Sequence, residues 1–189
     1  MNWKLVAVLV AAGLTACTTA SGWNNDDALG AGMIEIQMTP QGRATEIEFH
    51  VAPDEVPAAV RNAMNTLHPG GRFTGAEKET ENGVLYYELT REVGGMEVEA
   101  MFTPEGMLHS EEIEVPASKV PAAVQQVARD AVAGGNVTKW EEIRDSKRDL
   151  VEYHVKMASG GKKWKVAITT GGSLIAVYRE IPAEIEVKR

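Results

Sequence analysis

Val56-Pro57-Ala58-Ala59-Val60 returns as Val120-Pro121-Ala122-Ala123-Val124, 64 residues further along the chain, and this repetition decides how the rest is read. After the first copy, Val56, Ala59, Val60, Ala63, Met64 and Leu67 fall at helical spacing; Val120, Ala123, Val124, Val127, Ala131 and Val132 do so after the second. That spacing gathers the apolar side chains into one stripe, so the sequence predicts amphipathic helices over 56–67 and 120–132. Asp54 and Ser118 are residue types that cap helix starts, and a proline in the first turn loses no intrahelical hydrogen bond. Pro69-Gly70-Gly71 and Gly134-Gly135 end the two stripes.

The repetition continues beyond the helices. Tyr87 matches Tyr153, Gly94-Gly95 matches Gly160-Gly161, and Gly106 matches Gly172, each pair 66 residues apart, so two residues were gained in between. Pro116 and Pro182 close the two copies. Thr39-Pro40-Gln41-Gly42 matches Thr103-Pro104-Glu105-Gly106 at a separation of 64, which adds a half copy in front. Within each copy, period-two alternation marks strands: Leu85, Tyr87 and Leu89, then Val98, Ala100 and Phe102; Val151, Tyr153 and Val155, then Trp164, Val166 and Ile168. Such alternation belongs to antiparallel strands with one face on a core and one in water. Pro104-Glu105-Gly106 and Gly171-Gly172 read as hairpin turns. The expected fold is α+β: tandem modules, each a helix laid on a small antiparallel sheet, with one continuous sheet as an option. The boundaries are a half-repeat hairpin at 33–53, modules at 54–117 and 118–182, and a tail at 183–189.

The N-terminal region carries an address. Lys4 is followed by an apolar run from Leu5 to Leu14 and then Thr15-Ala16-Cys17, the three parts of a secretory signal. The run is about ten residues against the roughly 20 that a spanning helix needs. Leu14-Thr15-Ala16-Cys17 resembles the lipobox of bacterial lipoproteins, which implies a signal peptide over 1–16 and a lipid on Cys17. Each buried acyl methylene contributes about 0.8 kcal/mol to membrane binding. Residues 17–32 then read as a lipidated cysteine and flexible tether, from the small and polar run between Thr18 and Ala31. The expected localisation is the periplasmic face of the bacterial envelope, the outer membrane being favoured over the inner where there are two.

Cys17 is the only cysteine, so no disulfide staples the chain and its core must hold it. There are 19 Lys+Arg against 27 Asp+Glu, a net charge of −8, which argues against nucleic acid as a partner.

In order, the Val-Pro-Ala-x-Val helix start, the strand with Tyr87, the Gly94-Gly95 hairpin, Pro104-Glu105-Gly106 and the Val115-Pro116 linker, with their second-copy partners, resemble the PepSY-like, beta-lactamase-inhibitor-like (BLIP-like) family of exported bacterial proteins. The resemblance covers nearly all of 33–182. Two departures stand out: Thr169-Thr170-Gly171-Gly172 lacks the acidic residue often found in that turn, and the region opens on a half copy. The resemblance implies noncatalytic binding of a protein or peptide, in some members inhibition of a peptidase or hydrolase. A sensor module is the other form such binding takes.

The residues themselves carry no catalytic signature. Gly-x-Ser-x-Gly, Walker and zincin motifs are absent, and His50, His68, His109 and His154 show no metal-ligand spacing. No enzyme activity, cofactor or metal is expected. Alignment of the copies places Glu35, Gln37, Glu46, Glu48, Glu88, Glu97, Glu99, Glu112 and Glu114 on the sheet face away from the helices, joined in the second copy by His154, Lys156, Lys163, Lys165 and Tyr178, alongside Glu152 and Glu180. That face is the candidate site for a partner in the cell envelope. Two alternatives stay open: a structural envelope lipoprotein without a specific ligand, and an unrecognised hydrolase, which would show converging carboxylates with perturbed pKa values in a pocket.

Overall fold

The computed structural model describes residues 25–186, so the signal segment and Cys17 lie outside the described residues. In chain order the elements are α1 (Asn25–Gly30), β1 (Ile34–Met38), β2 (Ala44–His50), α2 (Ala58–Leu67), β3 (Phe73–Glu81), β4 (Val84–Val93), β5 (Met96–Phe102) and β6 (Leu108–Glu114). A short 3-10 turn at Ala117–Lys119 leads into α3 (Ala122–Ala131), β7 (Asn136–Asp145), β8 (Leu150–Ser159), β9 (Lys162–Thr169) and β10 (Leu174–Arg179). The ten strands make one sheet in the order β1 to β10, each antiparallel to its chain neighbour. No helix among the described residues is long and apolar enough to cross a membrane.

Both longer helices lie on the same side of the sheet. Val60 and Met64 of α2, with Val56 just before it, are buried against Ala76, Leu89, Val98, Ala100 and Phe102. Val124 and Ala128 of α3, with Val120 and Val132, are buried against Trp140, Tyr153, Val155, Met157, Val166 and Ile168. Trp164 packs at the margin of that second core. Each fully buried Val-, Leu- or Phe-sized side chain contributes about 1.5–3 kcal/mol, and without disulfides these two clusters carry the fold.

The helices begin two residues later than expected, and Asp54 and Ser118 do not cap them. Pro57 and Pro121 occupy the cap positions, with ψ 140 and 143 and no side-chain cap bond. A proline also disfavours helical geometry in the residue before it, and Val120 is extended at φ −85, ψ 130. The approach segments are held from within the helices instead. Arg61 Nη1 donates to the carbonyls of Asp54 and Val56, and Gln125 Nε2 donates to those of Ala117 and Val120 at 3.0 Å each.

Two buried charges fix the end of α2. Arg91 donates through Nη2 to Asn65 Oδ1 at 2.6 Å and through Nη1 to the His68 carbonyl, its guanidinium 4.4 Å from the Phe73 ring centroid. A cation there complements the negative end of the helix. Glu111, fully buried, lies 2.7 Å from His68 Nε2 and accepts from Arg148 Nε at 2.9 Å, which ties α2, β6 and the β7–β8 turn together. At the chain's start, part of the 17–32 stretch read as tether is helical: Asn25–Gly30 forms α1, and its Asp27 pairs with Lys78 of β3.

One threonine-led turn occurs three times among the described residues. Thr39, Thr103 and Thr169 each donate N–H to the carbonyl four residues on, and each hydroxyl accepts from that same residue's N–H. Gly42, Gly106 and Gly172 occupy the left-handed position, at φ 79, 85 and 82. Their surroundings differ. A Cβ on Gly106 would sit 2.8 Å from the Ala59 carbonyl oxygen of α2, whereas one on Gly42 would meet nothing within 4 Å. Gly42→Ala is therefore expected to cost about 1 kcal/mol of backbone strain, and Gly106→Ala about 3 kcal/mol because the start of α2 must also move. Urea denaturation of the two variants measures the gap, and equal losses would mean that α2 is not seated on the β5–β6 turn.

Candidate functional site

The face opposite the helices is built by register. Glu35 stands across from Glu48, Glu48 from Glu79, and Glu79 from Tyr86. Glu77 faces Glu88, Glu99 faces Glu112, and Glu114 faces Glu141, which faces His154. Lys156 lies between Lys139 and Lys165, and Lys165 opposite Tyr178. Every residue that the aligned copies nominate falls on this face, Gln37 included. Glu46, Glu48, Glu88, Glu99, Glu112, His154, Lys156 and Lys165 converge, while Glu35 stays near the rim and Lys163 is exposed, paired with Glu180 at 3.1 Å.

The convergence comes from curvature. In a flat sheet the seven strand spacings from β2 to β9 would separate their side chains by roughly 34 Å, several screening lengths in salt. Yet the Lys165 charge acts on Glu46 and Glu48, and that of Lys156 on Glu77. The sheet curls toward this side, so the face is concave rather than openly wet. Glu79 and Glu141 are only 3% and 2% exposed.

Electrostatically the concavity has two halves. Toward β7–β9 the charges are paired. Glu141 Oε1 lies 3.1 Å from the ammonium groups of both Lys139 and Lys156, and Lys139 also reaches Glu97. His154 sits 3.3 Å from Glu112 and 3.0 Å from Glu152. Burial disfavours the His154 imidazolium, but these two carboxylates outweigh it and lift the pKa to about 9. Burial would raise Glu112 too; His154 and the lysines hold it down to about 2. Toward β2–β5 acids mostly meet acids, with His50 Nε2 3.1 Å from Glu77 and 3.6 Å from Glu35. Burial first, then a hydrogen bond with Glu48 and its charge, pushes Glu46 up to about 8. Burial and the neighbouring carboxylates bring Glu79 to about 8, and burial and Glu112 bring Glu99 to about 8. Glu48 rises to about 7, mainly by burial, and Glu77 and Glu88 are raised by burial and nearby acids.

Two trios place potential ligand atoms within 4.8 Å of one another, Glu112–Glu141–His154 and Glu97–Glu99–Glu141. In the first, His154 holds a proton at neutral pH and offers no lone pair; in the second, Lys139 already bridges Glu97 and Glu141. Both sets fit an internal ammonium or imidazolium better than a metal ion.

Sequence reading missed Glu77, Glu79 and Glu81 of β3, Tyr86 of β4, and Lys139 and Glu141 of β7. No strand was expected over 73–81 or 136–145. Phe-Thr-Gly-Ala-Glu-Lys-Glu-Thr-Glu holds few apolar residues, so its alternation carried little signal, although every second residue from Glu77 is a glutamate.

No family model matches the chain, and no curated protein matches it. Solved structures do. A protein of Bacteroides eggerthii described as periplasmic aligns over 66% of this chain and 88% of its own, at 17% identity and a TM-score of 0.51. A DUF2874 family protein from Bacteroides uniformis aligns over 65% and 88%, at 19% identity and a TM-score of 0.51. The likeness is one of fold. The neighbours include a BLIP-like protein from Bacteroides fragilis, with 20% identity, 70% and 92% coverage and a TM-score of 0.49.

Carboxyl groups with raised pKa values hold protons in the folded state that unfolding releases, so between about pH 4.5 and 8 the unfolded state binds fewer protons and stability falls as pH rises. His154 adds to the loss as pH passes its folded value near 9, whereas Glu112 and Glu97, both depressed, withdraw stability only as pH falls below about 4.5. Thermal stability should peak near pH 5, with the melting temperature at pH 8.5 lower by roughly 5 °C or more. Melting curves across this range test it; a rise from pH 5 to 8.5 would mean that the concave carboxyls are solvated.

Proposed function

We propose that this chain is a noncatalytic, exported binding protein that receives a protein or peptide partner on the concave face of its sheet. One observation carries the reading: many titratable side chains are gathered and desolvated on one curved surface, at a cost in stability that the fold itself does not require. The tandem helix-on-sheet organisation supports it, since repeated units laid side by side make an extended curved surface. The periplasmic and BLIP-like descriptions of proteins with related folds are compatible with it. An inhibitor and a sensor ectodomain would both use such a surface.

The lipobox-like Leu14-Thr15-Ala16-Cys17 supports delivery to the periplasmic face of the envelope with a lipid on Cys17, which would hold the partner-binding face close to the membrane. Cys17→Ser is expected to abolish labelling by radioactive palmitate and move the protein from the membrane to the soluble fraction. Retention of the label would sink the anchor.

A photo-crosslinking amino acid at Tyr178, on the concave face, should capture a discrete partner in intact envelopes, whereas one at Gln126 on α3 should not. Capture from Gln126 alone would transfer the binding function to the helix side.

A second reading, hydrolysis by an acid/base pair, draws on Glu99 and Glu112, cross-strand neighbours pushed to opposite ends of the carboxyl range. Divergent pKa values in adjacent carboxyls are the pattern of a proton donor and a base. Against it, Glu112 is already committed to His154. Hydrolysis of any glycoside or peptide substrate that disappears in both Glu99→Gln and Glu112→Gln would establish this reading in place of the first.

A further inference from the structure

The two ends of the concavity treat a buried carboxylate differently. Glu141, 2% exposed, receives two ammonium groups from its own chain, Lys139 and Lys156, each at 3.1 Å. The carboxyl group of Glu79, 3% exposed, makes no hydrogen bond and no ion pair among the described residues. Its cross-strand neighbours are Glu48 and Tyr86, and the charges that act on it are those of Glu46, Glu81, Glu77 and Glu112. The single lysine of its strand, Lys78, projects to the helix side and pairs with Asp27. A carboxylate buried among carboxylates without a donor is costly, because a desolvated polar group is stabilised only by a partner.

Beside this nest stands an aromatic wall. Tyr86 packs against His109, with ring centroids 4.4 Å apart and planes inclined by 31°. His109 Nε2 lies 3.7 Å from Glu81 at the rim. An aromatic face next to several acids suits a cation on an alkyl stem: the ring covers the methylenes and the carboxylates take the charged end. At the other end of the same face Lys165 already lies over the Tyr178 ring, 5.4 Å from its centroid.

We propose that the nest formed by Glu46, Glu48, Glu79 and Glu81 beside Tyr86 is a binding site for an alkylammonium group, of the kind carried by a lysine side chain or a polyamine. The proposal rests on the concave face being the binding face and names the chemistry that the face takes. The chain supplies the template: what Lys139 and Lys156 do for Glu141, a ligand's ammonium does for Glu79. A divalent ion meets a poorer arrangement, since no three of these four carboxylates bring ligand oxygens within 4.8 Å of one another. Because Glu46 and Glu79 hold protons near neutrality, arrival of a cation expels protons, and binding strengthens as pH rises.

The test is calorimetric titration of the full chain at pH 6 and pH 8.5 with two probes, an acetylated and amidated tri-lysine peptide and spermidine, against sodium chloride at matched ionic strength. Binding by either probe is expected to be tighter at pH 8.5 and to weaken about tenfold in Glu79→Gln, as for loss of a hydrogen bond between charged groups. Tyr86→Ala should weaken it about threefold through loss of the ring. Asp130→Asn on α3 removes the same charge elsewhere and should change it less than twofold. The stronger probe identifies the source, peptide or polyamine. Glu79→Gln keeps the side chain's shape, and an unchanged melting curve at pH 5 verifies its fold. Binding by neither probe above the salt control, or equal binding by wild type and Glu79→Gln, would overturn the site. If crosslinking from Tyr178 then still captures a partner, the concave face stands as the binding surface and only the ammonium chemistry falls.

Discussion

Removing a carboxylate from water is expensive, and this chain does so repeatedly on the inner side of a curved sheet. Glu79 and Glu88 are each surrounded by other acids, and the lysines that pair with carboxylates on this face stand toward β7–β9. The apolar clusters beneath α2 and α3 must supply the free energy that offsets this, with no disulfide to help. One layer is a conventional core; the other keeps ionisable groups where ionisation is least comfortable. A division of labour of that kind is what a binding surface requires, since a face optimised for stability alone would carry alternating signs across its strands.

Much of the architecture was legible because repetition is visible without knowing any geometry. The echoed Val-Pro-Ala-Ala-Val, the paired glycines and the alternating strands place both helices and the Thr103 and Thr169 turns. What the sequence did not show is curvature. Period-two patterning says which residues share a face, not whether that face is flat, convex or concave, so the glutamates read as solvated when they are largely enclosed. β3 escaped for a related reason: inside the curl Glu79 is buried as deeply as an apolar residue, and no hydropathy pattern reveals it. The helix starts slipped because Asp54 and Ser118 are good caps in isolation, whereas Val56-Pro57 and Val120-Pro121 hold the backbone extended for longer.

The copies diverge on one side of the sheet and not on the other. The helix side keeps its apolar positions in both, Val60 and Met64 answering Val124 and Ala128. The concave side changes sign, Glu97 and Glu99 giving way to Lys163 and Lys165 at the corresponding places. Packing constrains the first set, while the second is free to acquire opposite charges at the two ends of one groove, which would give the proposed partner a defined direction.

Each strand bonds only to its neighbours along the chain, from β1 through to β10. A polypeptide wired in this way grows like an arch built stone by stone. Hairpins close locally, so assembly can begin at any point along it and needs no distant stretches to find each other. Lengthening the arch by another helix and its four strands would leave existing joints intact and change only its span. The breadth of the proposed binding face is therefore adjustable by gene duplication, without redesign of any interior.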